Sequence, residues 1–124
     1  MPVIIEGKRL NDILKWEESN YYSREKATIA AGQILTLAAV VGKQTANGKI
    51  YQIDFTASDG TENAYGFVIA DYDAASGDIE GVVIVREAIV AKDSLVFPET
   101  ATQPESDAAL AQLKSAGIIE REEA

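Results

Sequence analysis

The chain has 124 residues, 47% of them hydrophobic and 25% charged, which fits a single globular domain. It has neither cysteine nor histidine, so disulfides, thiolate zinc sites and every nucleophile system with an imidazole base are excluded. The net charge of −9 opposes nucleic-acid binding, because such a surface repels phosphates.

The first residues, Met1-Pro2-Val3-Ile4-Ile5-Glu6-Gly7, meet a charge too early for a signal-peptide core, and no apolar run reaches membrane-spanning length. The expectation is a protein made in a cytoplasm, with no membrane partner. Residues 1–22 read as an N-terminal arm ahead of a compact β-rich body over residues 23–124. Val3, Ile4 and Ile5 form a short β-prone run with no partner strand nearby in sequence. Leu10, Ile13, Leu14 and Glu17 then follow an i, i+3, i+4, i+7 spacing. With Asn11 and Asp12 as starts, that spacing predicts a short helix across Asp12–Glu18. Trp16, the one tryptophan of the chain, lies within it. So short a helix needs a surface to pack on. That surface is either the chain's own body or a partner, since aromatic anchors dominate many interfaces. Charge divides the chain near the same place. Residues 1–26 hold five cations and five anions, whereas residues 27–124 hold six cations and fifteen anions. Solubility alone accounts for such an imbalance; the other reading is that the two regions face different surroundings.

From Glu25 onward the pattern is β. Glu25–Ala30 is the first predicted strand, followed by a Gly32-Gln33 turn. Val40–Ala46 and Lys49–Asp54 flank Asn47-Gly48, the signal for a two-residue type I′ hairpin. Ser58-Asp59-Gly60-Thr61 is the next turn. Ala64–Ala70 is a strand interrupted by Gly66, which implies a bulge or a close backbone approach. Ala74–Asp78 is a turn. Ile79–Val90 reads as one strand whose Val82–Val85 run is buried on both faces. The period then changes. Thr102 caps a helix with Pro104, Glu105 and Asp107 near its start. Ala109, Leu110, Leu113 and Ala116 lie on one face, Lys114 is in the last turn, and Gly117 and Ile118 form the C-terminal cap.

No residue cluster points to catalysis. Asp71-Tyr72-Asp73-Ala74-Ala75-Ser76-Gly77-Asp78 starts like a calcium loop but puts Ala75, Ser76 and Val82 where that loop needs a ligand, a glycine and a glutamate. Asp54, Asp59, Glu62, Asp71 and Asp73 fall in or beside turns, where carboxylates usually form Asx turns or face solvent. The nine glycines are spread singly, so no phosphate loop is present. Tyr21, Tyr22, Tyr51, Tyr65 and Tyr72 either fill half-buried strand positions or, with the acidic turns, build a carbohydrate-binding or adhesion surface.

One stretch, Ser23–Lys43 (SREKATIAAGQILTLAAVVGK), carries a pattern beyond its β character. With Ala64-Tyr65-Gly66-Phe67-Val68-Ile69, Val82-Val83-Ile84-Val85-Arg86-Glu87-Ala88 and the Ala108–Ile119 stretch, it resembles the bacteriophage head decoration proteins of the lambda type, over residues 6–119. The resemblance implies a β-clip-like core with short helices and a homotrimer on the outside of the expanded head at three-fold positions. Such a trimer is a structural viral protein that stabilises the capsid against internal DNA pressure. No catalysis, cofactor, metal or small-molecule substrate is implied. The implied partner is the major capsid protein, and the implied location is the outer surface of the virion, after assembly in the bacterial host cytoplasm. The residues expected to bind the capsid are those of the arm: Val3, Ile4, Ile5, Leu10, Ile13, Leu14 and Trp16. The arm of the lambda protein is polar and threonine-rich, so an apolar arm with Trp16 departs from it, and whether it binds as a strand or a helix stays open.

Overall fold

The computed structural model describes residues 14–17, 23–91 and 93–121. In chain order they form strands β1 (Leu14–Glu17), β2 (Arg24–Ile29), β3 (Ile34–Leu35), β4 (Val40–Lys43), β5 (Ile50–Gln52), β6 (Gly66–Val68), β7 (Tyr72–Asp73), β8 (Ile79–Ile84) and β9 (Ala88–Ala91). Helix α1 (Gln103–Ser115) and strand β10 (Ile118–Arg121) complete them. The fold is therefore mostly β with one C-terminal helix, as the hydrophobic periods predict.

The order β2-β5-β4-β6-β8 closes into a barrel. Its longest seam is β2 against β8, antiparallel from Arg24 opposite Ile84 to Ile29 opposite Ile79. A parallel contact between Ile29 and Ile50 closes the ring. Successive strand residues point to opposite faces, and in β6, and in β4 up to Gly42, both faces are buried. Val41, Val68 and Val83 join Ile29 and Ile50 in one core, to which all five barrel strands contribute, so it fills the interior. Their neighbours Val40, Phe67 and Ile84 join Ala88, Val90, Ala109, Leu113 and Ile118 in a second core, between the barrel wall and the C-terminal elements. Val83, Ile84 and Val85 are buried on alternating faces between the two cores, whereas Val82, expected to be buried with them, is only half-buried.

The run from Ile79 to Val90 is not one strand. It breaks at Val85-Arg86-Glu87, where Glu87 takes a left-handed φ of 49°. The Glu87 N–H donates to the Ala116 carbonyl at 3.1 Å, and its carbonyl accepts from the Ser23 hydroxyl at 3.0 Å. Groups far away in sequence thus hold the corner that carries the chain from the barrel into the sheet β1-β9-β10. The Asn47-Gly48 turn also differs from the type I′ form. Gly48 alone is left-handed, at φ 69°. The ladder closes from Gln44 N–H to the Lys49 carbonyl at 2.9 Å, which leaves four residues in the loop. The Asn47 side chain accepts from the Lys49 N–H at 2.9 Å, an Asx contact that needs no positive φ at Asn47.

A further correction concerns the helix expected across Asp12–Glu18. Residues 14–17 are strand β1, antiparallel to β9 with a register shift between Leu14 and Trp16. One side of β9 offers a row of unpaired backbone groups, and satisfying them outweighs a helical period that would bring few apolar contacts.

Helix α1 follows its local signals closely. Thr102 and Glu105 make a reciprocal capping box, Pro104 sits in the first turn and Lys114 in the last. Gly117 follows at φ 86° and Ile118 is buried beyond it. The helix buries Ala109 and Leu113 against the second core. Thr102→Ala removes the capping acceptor and should lower stability by about 1 kcal/mol, read as a shift in the urea midpoint at unchanged slope.

Candidate functional site

The described residues begin with β1. That strand runs antiparallel to β9, with Leu14 opposite Val90. On the other side of β9, β10 runs parallel, with Arg121 opposite Ala91. The start of β1 and the end of β10 therefore lie at the same end of β9.

Two contacts fix this junction to the barrel. The Arg24 guanidinium, on β2, donates from Nε to both oxygens of Glu17 at 3.1 and 3.0 Å, and from Nη2 to Oε1 at 2.6 Å. A planar guanidinium matched to a carboxylate in this way restricts orientation as well as distance. Both side chains are partly buried, at 26% and 15% exposure, so solvent screens the pair less than a surface one. Beside it Ser23 is fully buried, and its carbonyl accepts from the Val85 N–H at 2.9 Å. Ser23 and Arg24 are thus held at a fastened corner.

Of the seven arm residues expected to bind a partner, Val3, Ile4, Ile5, Leu10 and Ile13 lie outside the described residues. Leu14 packs against the chain's own second core. The Trp16 backbone pairs opposite Ile89 in β1. A groove between α1 and β10 is lined by Val90, Leu110, Leu113, Ile118 and Ile119, with Lys114 and Glu120 beside them. Sequence reading missed this groove and the Glu17–Arg24 pair. A seven-residue separation has no meaning within a single strand, and only the return of the chain from β1 to β2 brings these two charges together.

The acidic turns are occupied locally. Asp59 accepts from the Thr61 hydroxyl at 2.6 Å and from Gln44 at 2.9 Å, which holds its carboxyl down at about 2. Asp54 accepts from Thr56 in the same manner and is also held below the ordinary range. Asp78 binds the Lys49 ammonium at 2.7 Å and the Ala31 N–H at 2.8 Å, which lowers it too. Asp71 accepts from the Leu37 N–H at 2.7 Å. These carboxylates act as backbone and turn acceptors, as their positions beside turns imply. Among the described residues no group of three or more carboxylates is placed to hold a metal ion.

The tyrosines are similarly engaged. The Tyr65 hydroxyl donates to Glu25 at 2.9 Å, and Arg86 binds the other Glu25 oxygen at 3.2 Å. Burial first, and Glu25 second, push the Tyr65 hydroxyl up to about 12, while Glu25 is lowered by Tyr65 and Arg86. Lys43 Nζ stands 5.2 Å from the centre of the Tyr65 ring. The Tyr72 hydroxyl accepts from the Val82 N–H at 2.9 Å. The Tyr65 and Tyr72 hydroxyls thus brace the barrel from separate strands, while Tyr21 and Tyr22 lie outside the described residues.

The described residues form a small two-core β-barrel with a groove between α1 and β10. The family model of the Bacteriophage lambda head decoration protein D matches residues 3–118, and the chain belongs to that family. It is a family of structural phage proteins, whose association is with the capsid and whose place is the virion. No curated protein matches the chain.

Proposed function

We propose that this chain is a cement protein that binds the exterior of the expanded phage head as a homotrimer at three-fold positions. Its partner is the major capsid protein, and its effect is to hold the shell against internal DNA pressure, without catalysis, cofactor or small-molecule substrate. The observation that carries this reading is a family match beginning at residue 3, which takes in the Val3–Ile5 run together with the body. Residues 1–22 serve as the capsid-binding arm, with Val3, Ile4, Ile5, Leu10 and Ile13 ahead of β1, and Trp16 within it, as the contact residues.

The physics of the chain favours this arrangement. An extended apolar run adds readily to an open sheet edge, with main-chain hydrogen bonds giving affinity and alternate side chains giving fit. Three such arms on one trimer bind as a multivalent unit, so each arm can be weak by itself. A protein that binds only the expanded shell stabilises that state by mass action. The surplus of nine negative charges falls entirely in residues 27–124, which suits a body facing outward while the nearly neutral arm faces the shell.

Removing residues 1–13 should leave a folded protein of unchanged subunit number that no longer co-sediments with undecorated, expanded heads. Retained co-sedimentation would sink the arm as the anchor.

A further inference from the structure

We propose that Asn47 is a site of spontaneous covalent modification, deamidating through the Gly48 nitrogen at a rate set by the backbone hydrogen bonds of its loop. This inference does not depend on the capsid reading. Asparagine is chemically labile, above all where the next backbone nitrogen reaches its side-chain amide. The Gly48 nitrogen attacks Cγ of Asn47 and gives its proton to hydroxide. The Cγ–Nδ2 bond breaks, and Nδ2 leaves as ammonia after taking a proton from water. Water then opens the resulting five-membered imide at one carbonyl or the other, giving aspartate or isoaspartate. Water and hydroxide are the only reactants from outside the chain.

The loop prepares one half of this reaction and restrains the other. Asn47 is exposed, so water reaches its amide. Gly48 has no Cβ to crowd its nitrogen. The Lys49 N–H donates to Oδ1 of Asn47 at 2.9 Å. Negative charge builds on that oxygen as the nitrogen attacks, so a donor already aimed at it stabilises the transition state. The leaving Nδ2 makes one long contact, 3.4 Å to the Tyr51 hydroxyl. The attacking nitrogen is held instead. The Gly48 N–H donates to the Gln44 carbonyl at 2.8 Å, an acceptor far too weak a base to remove the proton. The ladder bond from Gln44 N–H to the Lys49 carbonyl, at 2.9 Å, closes the loop around it. Local opening must therefore come before attack, and the native loop is the brake.

The other asparagines, Asn11, Asn20 and Asn63, precede Asp12, Tyr21 and Ala64, whose side chains crowd the attacking nitrogen. Asn63 is also held, its Oδ1 accepting from Gln112 at 2.9 Å. Conversion of Asn47 adds one negative charge to the −9 of the chain. Aspartate keeps an oxygen for the Lys49 N–H. Isoaspartate puts an extra carbon into the backbone and spoils the closure between Gln44 and Lys49.

The full chain is incubated in mildly alkaline buffer, native and unfolded in guanidinium chloride, and digested samples are followed by mass spectrometry with Asn47→Asp as the aspartate standard. Asn47 should convert in both samples ahead of the other asparagines, and about tenfold more slowly in the native one, the weight of one to two hydrogen bonds. Gly48→Ala, read in the unfolded chain where folding has no part, should convert several times more slowly than the parent. Equal rates in native and unfolded protein would overturn the proposal. So would earlier loss at another asparagine, an unchanged rate in unfolded Gly48→Ala, or native Asn47 still intact after many times the unfolded half-time.

Discussion

Phe67→Ala is expected to destabilise the domain by about 3–5 kcal/mol. The Phe67 side chain is fully buried on β6. It lies in the second core, where the barrel wall meets Ala109 and Leu113 of α1 and Ile118 of β10. Its backbone is held on both sides, opposite Val40 on β4 and Ile84 on β8. Strands fixed from both sides cannot close readily over the lost ring, so the cavity persists and its penalty adds to the lost transfer energy. A domain of this size has about 5–15 kcal/mol in total, so the variant should fold but unfold at a much lower urea concentration. A loss below about 1 kcal/mol would mean that the second core is loosely packed and that α1 is not anchored through it.

Gly66→Ala, one residue earlier, is expected to lose about 3 kcal/mol for a different reason. Gly66 needs no left-handed backbone. A Cβ there would strike the Ile84 carbonyl oxygen, and would stand 2.9 Å from Cγ1 of Val83. Both groups belong to β8, which pairs with β6, so the methyl would have to push these neighbouring strands of the closed barrel apart. Gly77→Ala is the matched control, since a Cβ there meets nothing within 4 Å, and its stability should stay within about 0.5 kcal/mol of the parent. If the two variants unfold at the same urea concentration, the β6–β8 seam is looser than the close approach at Gly66 requires.

The contrast between these glycines shows what a sequence can disclose. A glycine inside the Ala64–Ala70 run signals a close approach, and the close approach is there; that the approaching atom is the Ile84 carbonyl depends on barrel closure, which no local pattern encodes. Helix α1 was legible almost to the residue, because its cap, its first-turn proline and Gly117 all act within a few positions of one another. The helix expected across Asp12–Glu18 failed where local and tertiary preferences compete. The spacing of Leu10, Ile13 and Leu14 is helical, but the open side of β9 makes residues 14–17 a strand. The break at Glu87 was hidden for the same reason, since Ser23 and Ala116 hold it from either end of the chain.

The candidate site divides in the same way. An apolar arm can be nominated from composition, and Leu14 then packs inward once β1 is formed. The position of β1 is a product of topology. Strand β1 is antiparallel to β9 and β10 is parallel to it, and that combination brings Leu14 and Arg121 to the same end of β9.

The most direct test is to mix the full chain with undecorated heads before and after expansion, and to count bound copies after sedimentation. Saturable binding to expanded heads at one trimer per three-fold position, with none to unexpanded heads, is the expected result. No binding to expanded heads, or equal binding to both forms, would contradict capsid cementing by this protein.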